Sequence, residues 1–413
     1  MTPRPIHAPK SIDETGVRRN LLEDLALKTL YFEGELSLHE LGHRIGLTPR
    51  IVEDLFQRLR REQLCQVTGM DGNIHRITAT SGGKARALEL LSQNHYVGPA
   101  PVSLDDYVKR VLEQDVGEVE VTPAEMERAF EDLVMDPEML NQLGTAVRSG
   151  RAVFLYGPTG TGKSYIAETL ARLFERDQIL VPHAVEVDGQ IITVYDPALH
   201  QAVEGSHNHH DPRWQLCRRP CLLAGGEMSI EMVDLQFNPV TKFYTAPIQM
   251  KANNGLLIVD DFGRQRMSPE ELLNRWVVPL ERRIDFLSFA GGKKVEIPFN
   301  LFVVFATNLD PAKMVDEAFL RRIQTKIKVD FVRPDQFHEI SRGVCRQTGL
   351  TYDGDAVEGI IRMIADEYKE PLRACYPRDI MQQIVWAAQY AQREPVLDGE
   401  SVTMACRNYF LAP

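Results

Sequence analysis

Apolar residues recur at helical spacing over residues 21–31, and again at Ile51, Val52, Leu55, Phe56 and Leu59, which predicts two amphipathic helices. Between them, Ser37-Leu38-His39-Glu40 has the spacing of a capping box and opens a short helix ending near Gly46. Thr48-Pro49 then starts the longer one. Residues 65–68 and 74–78, around a Met70-Asp71-Gly72-Asn73 turn, read as a β-hairpin, closed by a helix over 81–92. Gly98-Pro99-Ala100-Pro101 cannot continue a helix and reads as a linker, and residues 103–150 read as three helical pieces starting near Ser103, Thr122 and Asp136. From 151 to 332 short apolar runs alternate with helical patterns, as the strands of a mostly parallel sheet covered on both faces do. The expected strands are 152–156, 191–195, 256–260, 301–306 and 326–331, with 179–187 turning at Asp188-Gly189 onto the second. A helix is expected over 228–235, a loop over 237–244, and a hairpin from 283–289 and 295–299 around Gly291-Gly292-Lys293-Lys294. Beyond Pro334 the pattern is helical only, over 335–347, 355–368, 377–392 and 401–410.

Composition narrows the class. A hydrophobic content of 44% over 413 residues is that of a globular chain with two or three cores. No apolar run is long enough for a membrane span and the first residues lack the apolar core of a signal peptide, so no membrane association and a cytoplasmic location are expected. The 6 cysteines are scattered and read as reduced thiols. A net charge of −11 opposes any global attraction to nucleic acid. The expected division is a flexible arm over 1–20, an α+β unit over 21–96, a linker and helix over 97–121, a nucleotide-binding α/β unit over 122–332 and a helical lid over 333–413.

The chemistry centres on Gly157-Pro158-Thr159-Gly160-Thr161-Gly162-Lys163-Ser164, set between the 152–156 strand and a helical pattern running to Leu173. Glycines let the loop turn its backbone N–H groups around phosphate oxygens without Cβ atoms in the way. Lys163 would reach the β- and γ-phosphates, Ser164 would ligate Mg²⁺, and Tyr165 follows at the helix start. The strand 256–260 ends in Asp260 and Asp261. The first can hold the Mg²⁺ hydration shell and the second can orient or polarise an attacking water. Asn308, after the strand 301–306 and Thr307, can hold the same water from the other side. His207, His209, His210, Cys217 and Cys221 do not match the paired spacings of structural zinc sites, so no structural metal is expected.

In this order, Gly157 to Ser164, Leu257 to Asp261, Thr307-Asn308, Phe319-Leu320-Arg321-Arg322-Ile323 and Tyr376-Pro377-Arg378-Asp379 resemble the Walker A, Walker B, sensor 1, arginine-finger and sensor 2 elements of AAA+ ATPases. The resemblance covers about residue 125 to the end. It implies a parallel sheet ordered 5-1-4-3-2, a helical lid, ATP and Mg²⁺ as ligands, and a homo-hexameric ring with sites between subunits. Arg321 or Arg322, with Arg322 preferred, would reach a neighbour's γ-phosphate, and Arg378, preferred over Arg373, would contact it within the subunit. The 243–254 stretch and the 283–299 hairpin resemble the insertions of the clade that includes MoxR-type ATPases and enhancer-dependent activators, where they face the pore or one ring surface. The first hundred residues resemble a winged helix, with Arg50, Arg58, Arg60 and Arg61 on its second helix diluted by Glu53, Asp54 and Glu62. One departure stands out: Asp261 occupies the place where the family has glutamate.

Three functions are compatible with this sequence. The first is a ring ATPase that remodels a protein partner. A DNA-associated ATPase or transcription regulator using the winged helix is the second, disfavoured by the mixed charge. An ATP-gated assembly scaffold with very slow hydrolysis is the third, supported by the short side chain of Asp261.

Overall fold

The computed structural model describes residues 3–203, 211–311 and 320–411. Helix α1 (Arg19–Glu33) is followed by β1 (Leu36–Ser37), α2 (Leu38–Ile45) and α3 (Pro49–Arg61). The α2 start is set by a reciprocal pair: Glu40 N–H donates to Ser37 Oγ at 3.2 Å, and Ser37 N–H donates to the Glu40 carboxylate at 2.7 Å. β2 (Cys65–Asp71) and β3 (Ile74–Ala79) pair as the expected hairpin, β1 adds to β3, and α4 (Ser81–Gln93) closes the unit. Leu22, Leu25, Leu41, Ile51, Leu55 and Phe56 form its core.

Two expectations for this end of the chain are corrected. The arm over 1–20 is packed: Ile12 and Val17 are buried, and the Thr48 hydroxyl donates to Pro9 O at 2.9 Å instead of capping α3. Apolar Ile12 and Val17 have a surface to cover, so they anchor the segment. The Gly98–Pro101 linker is likewise a buried seam, with Ala100 fully enclosed and its N–H donating to Ile45 O at 2.6 Å.

β4 (Val102–Ser103) and α5 (Leu104–Glu113) lead to α6 (Pro123–Ala129) and α7 (Pro137–Ser149), whose N-caps are Ser103, Thr122 and Asp136 for the three helices in turn. β5 (Ala152–Tyr156) then runs into α8 (Lys163–Phe174). The chain leaves for β6 (Gln178–Pro182), β7 (Ala184–Val187), β8 (Gln190–Thr193) and β9 (Trp214–Arg218), and returns as β10 (Cys221–Ala224). It leaves again for β11 (Gln236–Phe237), β12 (Tyr244–Thr245) and the one-turn α9 (Ile248–Lys251), and returns as β13 (Leu256–Val259). α10 (Pro269–Arg282), β14 (Ile284–Ser288), β15 (Lys294–Pro298), β16 (Phe302–Thr307) and β17 (Thr325–Lys328) complete it.

The central sheet is all parallel and ordered β10-β13-β16-β5-β17. Counting these five strands in chain order from β5, that is 5-1-4-3-2, the order implied by the AAA+ resemblance. Its core lies on both faces, Val153, Leu155, Ile258 and Val304 on one, Phe154, Leu257, Val303 and Phe305 on the other.

The second strand of this sheet is not 191–195. Residues 190–193 pair antiparallel with β7 in a separate sheet ordered β11-β12-β8-β7-β4, and the core edge is taken by β10. An edge strand needs apolar residues on fewer sides, and Leu223 of β10 is 53% exposed. The helix expected over 228–235 is only a 3₁₀ turn at Ile230–Val233, and the 243–254 stretch contains one helical turn, α9. The β14–β15 hairpin forms as expected, with Leu287, Phe289, Val295 and Ile297 buried in one cluster with Val185 of β7, Ile192 of β8 and Trp214 of β9. Its turn residue Lys293 pairs with Asp188 of the β7–β8 turn.

The chain ends in four helices, α11 (Pro334–Thr348), α12 (Gly354–Arg362) continuing into a π-helical turn at Met363–Glu367, α13 (Tyr376–Tyr390) and α14 (Gly399–Tyr409). They enclose a separate core that includes Phe337, Val357, Ile360, Ile380 and Met381. Among the described residues, no helix is long and apolar enough to cross a membrane.

Candidate active site

Parallel strands put their C-terminal tips at one end of the sheet, and the polar residues singled out in the sequence follow β5, β13 and β16 there. The glycine loop between β5 and α8 is possible only with its glycines. Gly157 has φ 146°, and a Cβ on it would stand 2.1 Å from Val329 O. Gly160 and Gly162 have φ of 79° and 95°. Gly162 is the N-cap of α8 and makes no side-chain cap bond, so the helix start is left open to an anion.

Lys163 is buried, and its Nζ donates to Gly157 O at 2.9 Å and Pro158 O at 2.6 Å. Burial lowers its pKa, partly opposed by the charges of Asp260 and Asp261. Thr161 Oγ1 donates to Pro158 O at 2.9 Å. Tyr165, on the first turn of α8, is 49% exposed.

Ser164 Oγ donates to Asp260 Oδ1 at 2.9 Å, joining the helix start to the tip of β13. The same oxygen accepts the Asp261 N–H at 2.9 Å, and Gln265 Nε2 donates to Asp260 O at 2.8 Å. Gln265 thus fixes the turn after β13, a role that its sequence position did not advertise. Asp261 is exposed, with φ 47°, a left-handed conformation uncommon for a non-glycine residue and enriched at functional turns. Asn308, after β16, donates from Nδ2 to Thr159 Oγ1 at 3.1 Å. Lys163, Ser164, Asp260 and Asn308 are therefore brought together, with Asp261 beside them.

The three arginines lie differently. Arg321 is exposed. Arg322 is 3.5 Å from the Glu281 carboxylate of α10, away from the bonded set just described. Phe319 of the same stretch lies outside the described residues. Arg378, in the first turn of α13, is 71% exposed and pairs with its neighbour Asp379 at 2.9 Å. Arg373 is the lid arginine packed on the glycine loop: a Cβ on Gly160 would meet its Cδ at 3.2 Å, and the Cys375 N–H donates to Gly160 O at 3.1 Å. The preference for Arg378 overlooked this because nothing around Arg373 in sequence marks the contact.

The residues fit a nucleotide with Mg²⁺. The loop presents a glycine cradle and a buried ammonium, and the hydroxyl and carboxylate of Ser164 and Asp260 are the hard oxygen donors that Mg²⁺ takes. Of the residues weighed for zinc, His207, His209 and His210 lie outside the described residues, and Cys217 and Cys221 are free thiols whose pKa burial pushes up to about 12.

A family described only as a domain of unknown function, DUF8689, matches residues 333–408, the four-helix end of the chain. No curated protein matches in sequence. Among solved structures, NtrX from Brucella abortus is 11% identical with a TM-score of 0.39, over 67% of this chain and 56% of that one. The chain thus spans little more than half the length of that structure. The Thermotoga maritima RuvB Holliday junction branch migration motor is 12% identical with a TM-score of 0.38, over 70% of each chain.

Proposed function

We propose that this chain binds and hydrolyses ATP with Mg²⁺ as an AAA+-type ring ATPase that remodels a protein partner. The observation that carries the reading is the 2.9 Å bond between Ser164 and Asp260 beside the glycine cradle and Lys163. Loop N–H groups and Lys163 hold the phosphates, and Ser164 and Asp260 hold Mg²⁺, which neutralises phosphate charge when bound. Asp261 and Asn308 position the water. A neighbouring copy supplies Arg322 or Arg321 in a homo-hexamer, and Arg378 acts from the lid.

The N-terminal unit, read as winged-helix-like, serves as the adaptor in a cytoplasmic assembly. A protein partner is preferred to DNA because the basic side chains of this unit are largely spoken for. Arg58 pairs with Glu62 at 2.8 Å, Arg76 pairs with Glu35 at 2.6 Å, and Arg60 lies over the Phe56 ring. Such a face offers little phosphate neutralisation.

The test is ATP turnover by the full chain with Mg²⁺, alongside Lys163→Ala and Asp260→Asn and with particle mass measured with and without nucleotide. Turnover lost in both variants, from a wild type that forms a ring, supports the reading. A wild type that binds ATP without detectable turnover would leave the slow scaffold as the function. Submicromolar, steeply salt-dependent binding of duplex DNA would move the adaptor to the nucleic-acid reading.

A further inference from the structure

The turn that follows β13 is closed by the side-chain amide of Gln265. Its Nε2 donates to Asp260 O at 2.8 Å and its Oε1 accepts the Gly263 N–H at 2.7 Å, so one half-buried side chain spans the peptide groups on either side of Asp261 and Phe262. Three further bonds pin the same turn. The Asp261 N–H donates to Asp260 Oδ1 at 2.9 Å, the Asp261 carbonyl accepts the Arg264 N–H at 2.9 Å, and the buried Phe262 donates its N–H to Ala306 O at 2.8 Å. Gly263 has φ 106° and Asp261 is held at φ 47°. A left-handed residue other than glycine persists only where its surroundings over-determine it. Here the backbone of Asp261 is fixed on both sides, yet its carboxylate is exposed and hydrogen-bonds to none of the described residues. A constraint that ends in an unbonded carboxylate, close enough to Lys163 for their charges to interact, serves something other than the fold.

Backbone direction matters more for aspartate than for glutamate. A single torsion, χ1, places the aspartate carboxyl carbon, so a rotation of the backbone passes directly to the carboxylate, and a displacement of about 1 Å can cost on the order of 10²-fold in rate. Asp260 is secured separately, by Ser164 Oγ and by the Asp261 N–H. We propose that Gln265 is a positioning residue for hydrolysis: by holding Asp261 in its left-handed turn it aims that carboxylate at the attacking water, and it takes no part in holding nucleotide or Mg²⁺. This rests on the ATP-hydrolysis reading above. In the step concerned the water oxygen bonds to the γ-phosphorus, the bond to the β,γ-bridging oxygen breaks, ADP leaves with that electron pair, and the water proton passes through the Asp261 carboxylate to the released phosphate.

The experiment measures kcat and the ATP dissociation constant of the full chain with Mg²⁺, for wild type, Gln265→Ala, Gln265→Met, Asp261→Asn and the double variant Gln265→Ala/Asp261→Asn, with crystal structures of wild type and Gln265→Ala. Gln265→Ala is expected to lower kcat about 10- to 100-fold while ATP affinity stays within about threefold. Gln265→Met keeps the length of the side chain and neither of its bonds, so it should be as slow; a role in packing alone predicts near-normal turnover for it. The double variant should be no slower than Asp261→Asn, because Gln265 acts through Asp261. In the Gln265→Ala crystal, Asp261 should leave the left-handed region while the Ser164–Asp260 bond remains. A kcat within about twofold of wild type for both Gln265 variants, losses that multiply in the double variant, or ATP affinity that falls in step with kcat each overturn the proposal and leave the ATPase reading intact. A wild type that binds ATP without turnover overturns the hydrolysis reading, and the proposal with it.

Discussion

The two ends of the central sheet treat their polar side chains in opposite ways. Before β10, β13 and β16, the polar residues are saturated. Asn254 donates to Val111 O at 2.7 Å and to Asn300 O at 2.5 Å, and accepts from Gln114 at 3.3 Å and Arg219 at 2.7 Å. Asn253 donates to Tyr107 Oη at 2.8 Å and Pro298 O at 2.9 Å and accepts the Asn300 N–H at 2.8 Å, while Asn300 Oδ1 accepts the Val116 N–H at 2.9 Å. After β5, β13 and β16, the polar residues make few bonds, and those are to each other or to their own loop. Lys163 leans on two loop carbonyls, Ser164 on one carboxylate oxygen, and Asn308 on one hydroxyl. A buried network with every group used is a joint, here between α5 and the sheet, because any rearrangement strands a donor or acceptor. A set with bonding capacity in reserve can turn to a ligand at little cost.

The largest expected effect tests the site end. Lys163→Ala should reduce ATP turnover about 10³-fold or more, since the ammonium is the charge nearest the phosphate cradle. Its melting temperature should stay within a few degrees of wild type, because the two carbonyls it leaves belong to a loop open to water. A melting temperature that collapses with activity would mean Lys163 is a joint as well.

The joint end should respond the other way. Asn254→Ala removes two side-chain bonds and forces alanine to φ 65°, so a loss of about 2–4 kcal/mol in denaturant unfolding is expected, with turnover per folded molecule unchanged within twofold. Asn254→Gly keeps the backbone at ease and should recover about 1 kcal/mol of it. A loss below about 1 kcal/mol for Asn254→Ala would remove the distinction between the two ends.

Asp261 lies on the boundary, at the tip of β13 but with an unusual backbone. Asp261→Glu extends the carboxylate by one methylene, and turnover should rise about 10-fold if reach is what limits the water-positioning step. A fall would instead mean that the left-handed turn, which glutamate tolerates less readily than aspartate, governs the site.

The site end was legible because its signals are local. The glycine loop, the β13 run ending in Asp260 and the β16 run ending in Thr307-Asn308 each state an element and its terminus within a dozen residues. β10 was missed because four residues beside Arg218-Arg219, with Leu223 facing solvent, carry little pattern. β6 and β9 pair across more than thirty residues, and β8 reads as well for a core strand as for the second sheet in which it lies. Arg373 was passed over for a similar reason: its contact with Gly160 is made by the docking of the lid, which no spacing within the lid records. Local chemistry is written in the sequence, whereas the partner of an edge strand or a docked loop is decided by the assembled core.

Lys28 sharpens the comparison from outside both ends. It is 4% exposed on α1, its Nζ makes a bond to Asn94 O at 3.1 Å, and burial lowers its pKa to about 8 against the partial support of Asp24. A polar group with capacity in reserve marks a site only where it faces a cleft, and Lys28 is enclosed by the N-terminal core, so it should act as a stability cost alone. The folded-state pKa lies below the unfolded value of 10.5, so the unfolded chain binds the extra proton between about pH 8 and 10.5, and stability from this group rises with pH across that window. Lys28→Met should therefore be more stable than wild type at pH 7 by about 1 kcal/mol, after allowing for the acceptor left at Asn94. That advantage should shrink as the pH rises from 8 to 10. Parallel unfolding curves for the two proteins at each pH measure it, and a difference that grows with pH would mean the lysine is held as a favourable ion pair with Asp24.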